Sequence, residues 1–273
     1  LAAFGRRLGA IDHVRRVSRF RHAGDDVAFA NLALSSKALS ASGQSVVHAV
    51  RDLPPPNGAA VLVSGNTARF IDQKASLAAH APLVIGLVAG GTLLVLFLLT
   101  GSVVLPLKTL VMNGATLAAA LGVIVLAFQE GALDGLAAYS GPAAVEVTSL
   151  VFLFAVTFGL STDYAVLIIA RIKELHDGGA TNADAVATGI ARTGRVISAA
   201  AAMIAVVFLA FAVSPVFFMK QIAIGMVAGV VIDTTIVRAL LVPALMRLLG
   251  AYNWWAPRPL RRLHARIGVS ESA

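Results

Sequence analysis

FGLSTDYAVLIIARIKE, residues Phe158–Glu174, sets an Asp-Tyr pair, Asp163-Tyr164, in a run whose only charge between Val147 and Ala170 is that Asp. Such a run has the length a helix needs to cross a bilayer, about 20 residues. An ionised carboxylate near mid-bilayer costs roughly 2.5–3.5 kcal/mol on insertion scales. Ala would pack there without that cost, so the reason for Asp163 bears directly on function.

The rest of the chain has the same character. Its 273 residues are 58% hydrophobic and only 13% charged, with a mean hydropathy of +0.84. A soluble domain carries about 25% charge. Cysteine is absent, which excludes disulfides and thiolate metal sites. The net charge of +8 reads as basic residues flanking membrane spans, not as a nucleic-acid surface. The chain opens at Leu1 with no charged-then-apolar leader, and the expectation is a fragment of a longer protein.

The apolar blocks predict a mainly α, polytopic membrane protein. Within a transmembrane domain over 79–250, spans are expected at about 82–101, 107–128, 147–170, 196–217 and 221–246. The first two meet in a tight turn at GSVVLPLK, where Lys108 is the separating charge. A basic tail, 251–273, follows. Residues 1–78 read as part of a soluble α/β unit. Strands are expected in VRRVSRF, DDVAFANLALSS and AAVLVSG, the last before a Gly65-Asn66 turn. A helix is expected in SASGQSVVHAVRDL, capped by Ser40 or Ser42 and stopped by Pro54. That order amounts to about one βαβ length.

Charge asymmetry orients the spans. Arg171, Lys173, Arg192 and Arg195 lie in the connection 171–195, Lys108 in the first turn, and Arg258, Arg261, Arg262 and Arg266 in the tail. These are expected to be cytoplasmic. The loop 129–146 holds Glu130, Asp134 and Glu146 with no basic residue and is expected outside, together with the N-terminal unit. Trp254 and Trp255 suit the membrane interface. Two stripes of small residues, Gly114-Ala118-Gly122 and Gly225-Gly229-Asp233, predict close helix packing.

Three roles compete for Asp163: a structural acceptor paired with a base, a cation ligand, or a group that loads and releases a proton. Burial raises a carboxyl pKa towards neutrality, and Ser161, Thr162 and Tyr164 supply nearby hydroxyls. Ionisable groups inside membranes are functional by default, which favours a relay. Ser198, at similar depth on the next span, is a candidate third member. Asp233 and Arg238 stand five apart, a poor spacing for one α-helical face. They are expected to be structural, with Arg238 reaching the interface and Asp233 pairing with another helix. No P-loop, His cluster or G-x-S-x-G elbow occurs. Neither a metal, a cofactor nor an enzymatic activity is therefore expected.

Four ordered segments carry a family resemblance: SVVLPLKTLVMNGATLAAALGVIVLAFQEG, FGLSTDYAVLIIARIKE, TGRVISAAAAMIAVVFLAF and MKQIAIGMVAGVVIDTTIVRALLVPALMRLLGAYNWWAPRPLRRL. Together they resemble the C-terminal half of MMPL transporters, in the resistance-nodulation-division superfamily. SGNTARFIDQKASLAA is similar to the end of the family's periplasmic porter domain. The resemblance implies a plasma-membrane exporter of lipids or other hydrophobic compounds, driven by the proton gradient. It implies twelve helices in two pseudo-repeats, of which this chain would hold helices eight to twelve. Asp163-Tyr164 would be the tenth-helix half of a paired proton relay, and the N-terminal half would be a required partner. Ala165 stands where the family often has an acidic residue. Two rivals remain: an accessory subunit of protein export from the same superfamily, and a non-transporting scaffold of sterol-sensing-like architecture, in which Asp163 would be structural.

Overall fold

The computed structural model describes residues 1–267 other than 25, 38, 57 and 131–144. Asp134 and most of the acidic loop therefore lie outside the described residues. The chain divides into two compact units, one built on Leu1–His80 and the other on Ala81–Phe128 with the residues from Thr148 onward.

The N-terminal unit begins with a helix that the sequence reading did not anticipate, α1 (Ala2–Gly9). Strands β1 (Val14–Val17) and β4 (Leu32–Leu34) pair antiparallel with a register shift between Val14 and Arg16, and β2 (Arg21–His22) and β3 (Ala28–Phe29) pair antiparallel in regular register. Helix α2 (Ala41–Asp52) starts at Ser40, whose hydroxyl accepts from Gly43 N at 3.2 Å. That bond satisfies one of the orphan N–H groups of the first turn. Phe4, Leu8, Val46 and Val50 form the core.

Every ladder among the described residues is antiparallel. The AAVLVSG segment keeps the alternation of a strand. Val61 and Val63 pack on the core while Leu62 is 93% exposed. It has no strand partner among the described residues, and without a ladder an alternating sequence stays merely extended.

Among the described residues five helices are long and apolar enough to cross a membrane. Helix α3 (Asn66–Thr100) is followed at once by α4 (Val104–Ile124), which runs on through one π turn, Val125–Gln129. Helices α5 (Val147–Asp177) and α6 (Asn182–Phe211) are joined by a short turn, so the polar connection is mostly the helices' own ends. Thr181 caps α6 by accepting from Asp184 N at 3.2 Å. Helix α6 stops at Phe211, short of the expected end at 217. Pro215 follows within one turn, and its missing N–H and its ring prevent continuation.

The last span is composite: α7 (Phe217–Ile232), a π-helical segment (Asp233–Leu241) and α8 (Val242–Leu249). The π geometry has a local cause. Pro243 cannot donate a hydrogen bond to Ala239, and its ring crowds that carbonyl. A wider turn before the proline accommodates both. A short 3-10 turn (Gly250–Trp254) then leads to α9 (Arg258–Ile267).

The glycine stripe of the last span does bring helices together. A Cβ on Gly225 would lie 2.4 Å from Ile124 Cδ1 and 2.8 Å from a methyl of Leu153, and one on Gly229 would meet Thr157 and Ala120. The α4 stripe does not behave this way: Gly114 and Gly122 have nothing within 4 Å of such a Cβ. Helix α4 packs instead through Thr109, Asn113, Thr116, Ala120 and Ile124. Lys108 is also misread from sequence. It sits inside α4, not in the turn, and is only 8% exposed.

Candidate functional site: a buried polar network in the helical bundle

Helices α4 and α5 and the π segment bring polar side chains together within the apolar bundle. Asp233 and Arg238 form its centre, their side chains each 6% exposed. Arg238 Nε donates to Asp233 Oδ2 at 2.6 Å. In an α-helix residues five apart diverge, but in π geometry the i to i+5 relation places them side by side. The expectation that Asp233 pairs with another helix and that Arg238 reaches the interface is therefore corrected. The pair closes within one element and stays buried.

The other lone pairs and donors of the pair are satisfied from neighbouring helices. Thr116 Oγ1 donates to Asp233 Oδ1 at 3.1 Å. Ser161 Oγ lies 2.7 Å from the same oxygen and 2.8 Å from Asn113 Oδ1. Its single hydroxyl hydrogen can serve only one of those two acceptors at a time. Arg238 Nη2 donates to the Ser161 carbonyl and reaches Ser161 Oγ at 3.2 Å. Asn113 Nδ2 donates to Thr162 Oγ1 at 2.9 Å, and that hydroxyl donates to Phe158 O at 2.8 Å. The guanidinium carbon of Arg238 lies 5.2 Å from the centre of the Tyr164 ring, a cation–π distance.

Asp163 is on the other side of α5. It follows Ser161 by two residues, roughly 200° around the helix, and is exposed along with Gly159 and Leu167. No described residue hydrogen-bonds or ion-pairs with its carboxylate. The hydroxyls of Ser161 and Thr162, close to Asp163 in sequence, serve Asp233 and Asn113 instead. Tyr164 is half-buried, with its ring against Arg238 and its hydroxyl unpartnered among the described residues. Ser198 is exposed on α6, and no hydrogen bond joins it to Asp163. A small cavity of about 20 Å³ adjoins the network, lined by Lys108, Asn113, Ile169 and Arg238 among others. Lys108 Nζ is buried there without a partner among the described residues.

Among the described residues no cluster of His, Asp and Glu could hold a metal ion. The network contains hydroxyls, an amide, a carboxylate and a guanidinium, and its hydrogen bonds join α4, α5 and the last span. It was missed from sequence because its members are scattered over three helices. The one local signal was Pro243 just beyond Asp233 and Arg238, which warns that α periodicity fails there.

Five apolar helices among the described residues, with an ionic network buried between three of them, define a polytopic helical membrane protein. The MMPL family profile matches residues 27–269, and the chain belongs to that family. It is 43% identical over 228 residues to membrane protein SCO6666 of Streptomyces coelicolor, covering 84% of this chain and 32% of that protein. It is 39% identical over 222 residues to the trehalose monomycolate exporter MmpL3 of Mycobacterium tuberculosis, covering 81% of this chain and 23% of that one. With the mycolic acid-containing lipids exporter MmpL11 of Mycolicibacterium smegmatis it shares 35% identity over 205 residues, 75% of this chain and 21% of that protein. The chain thus spans a third or less of the length of these relatives.

Proposed function

We propose that this chain is the C-terminal part of an exporter of lipids or other hydrophobic compounds, driven by the proton-motive force across the plasma membrane. Asp163 and Tyr164 are its proton relay on this side of the transporter, and Ser198 is a candidate third member. The N-terminal half of the transporter supplies the facing surface.

The observation that carries this reading is the position of Asp163. Its carboxylate stands on an otherwise apolar, outward-facing stripe of α5, and no described residue binds it. A structural acceptor would have its partners within the bundle, as Asp233 does. A carboxylate left open on a helix flank is suited to meeting a second group across an interface and exchanging a proton with it. Tyr164 connects that flank to the buried network through Arg238. The energy available is sufficient in kind: each charge crossing 100 mV is worth about 2.3 kcal/mol.

The same reading places the soluble unit, residues 1–78, outside and the tail, residues 251–273, in the cytoplasm. Support comes from Arg171, Lys173, Arg192 and Arg195, which flank the α5–α6 turn. Being buried, Lys108 adds nothing to that argument. The scaffold alternative makes Asp163 a structural residue, which its unpartnered position does not favour. Membership of the MMPL family weighs against the protein-export accessory subunit.

The test is export by the complete transporter in vesicles, with and without an imposed proton gradient. Cargo movement should stop when a protonophore collapses the gradient. Undiminished movement without a gradient would refute proton coupling.

A further inference from the structure

We propose that α9 is an interfacial helix that binds anionic phospholipid headgroups, with its apolar face in the leaflet and its arginines at the headgroup level. This does not depend on the proton relay.

The sequence of α9 is sharply two-sided. Leu260, Leu263, His264 and Ile267 recur at i, i+3, i+4 and i+7, which is one helix face. Arg258, Arg261, Arg262 and Arg266 occupy the opposite arc. Leu260 is 36% exposed, Leu263 44% and Ile267 54%, so the chain itself does not cover the apolar face. The helix carries no acidic residue to offset its arginines. This combination, one apolar stripe and a basic remainder, lies in a membrane surface and favours anionic lipid.

The second observation is the mount that fixes α9 at a span end. His264 Nε2 lies 3.0 Å from Leu98 O, one of the carbonyls left without an intrahelical donor at the C-terminus of α3. The His264 ring meets Phe97 edge-on, with centroids 5.8 Å apart. Gly101, at φ +69°, makes room for it: a Cβ there would lie 2.9 Å from His264 Nδ1. The segment leading into α9 is held as firmly. Ser102 Oγ donates to Asn253 O at 2.6 Å, and Val103 N donates to Trp255 O at 3.1 Å. Trp254 stacks on His176 with centroids 4.3 Å apart, while Trp255 is 52% exposed beside α9. The helix is therefore tied to the C-terminal end of α3, an apolar span, with Trp255 exposed in the segment that leads into it.

Trp254 and Trp255 are the chain's only tryptophans, so their fluorescence reports on this site. The chain is reconstituted into mixed phosphatidylglycerol and phosphatidylcholine vesicles at fixed composition, with bromine on either the glycerol or the choline lipid. Each arginine near an anionic surface is worth roughly fivefold in partition. Quenching per brominated lipid should then be severalfold stronger from phosphatidylglycerol. In R258Q/R261Q/R262Q/R266Q the ratio should fall close to one. In the unmodified chain, raising the salt should lower it as well, a check that needs no variant. Equal quenching by both lipids in the unmodified chain, a ratio that salt leaves unchanged, or a ratio the quadruple variant retains would each overturn the proposal.

Discussion

Asp233 and Arg238 are five residues apart in one span, yet they form a buried ion pair at 2.6 Å because the helix between them is π-wound. The Ser161 and Thr116 hydroxyls complete the carboxylate's shell, and the guanidinium also holds the Ser161 backbone. The pair thus links the last span to α4 and α5.

Removing one member of such a pair leaves a bare charge in a low dielectric, at a cost of roughly 3–5 kcal/mol. Arg238→Met should therefore lower the thermal unfolding temperature in detergent markedly. Asp233→Leu with Arg238→Met, which removes both charges, should recover much of the loss. A single variant as stable as the parent would show that the pair is not a unit.

Close approach at Gly225 predicts a contrast between two glycines of the bundle. Gly225→Ala forces a methyl against Ile124 and Leu153. Overpacking of this kind costs about 1–3 kcal/mol. Gly114→Ala meets nothing within 4 Å in this chain and should leave the unfolding temperature of the isolated chain unchanged or slightly raised. Equal effects at the two positions would contradict the packing described.

The α2 cap gives a separate check on the N-terminal unit. Ser40→Ala removes the acceptor for Gly43 N and should destabilise the unit by about 1 kcal/mol. Ser42→Ala, inside the helix, should cost little. Chemical denaturation of the two variants compares them directly.

Orientation is open to reporter fusions. An enzyme active only outside should work when fused after residue 135, and one active only inside when fused near residue 180. The charges flanking the α5–α6 turn are the reason. The reverse at both sites would overturn the orientation.

The spans were legible because apolar blocks of bilayer length admit few other readings. The start of α2, with Ser40 or Ser42 as its cap, and the β1 and β4 segments were legible through local cap and alternation signals; the structure selects Ser40. Asp233 and Arg238 were legible as structural, ion-pairing charges, but not as partners of each other, because residues five apart diverge on a 3.6-residue turn and only the π winding before Pro243 brings them together. Lys108 looked like a loop charge because composition cannot show that α4 begins at Val104 and turns that side chain inward. The Ala59–Ser64 segment has the pattern of a strand, but pairing depends on a neighbour that no local pattern specifies. Asp163 was visible as an anomaly. Its outward direction follows from its two-residue offset from Ser161, once Ser161 is known to face inward.

The proposed relay rests on Asp163 as the proton carrier. In the complete transporter, reconstituted with a pH-sensitive dye inside the vesicles, Asp163→Asn should abolish cargo-dependent proton flux while expression and insertion stay normal. Asn keeps the size and much of the hydrogen bonding of Asp but cannot alternate between charged and neutral forms. Tyr164→Phe should reduce the flux less, since it removes a hydroxyl and not the titrating group. Flux at the wild-type rate in a normally inserted Asp163→Asn protein would rule out Asp163 as the proton carrier.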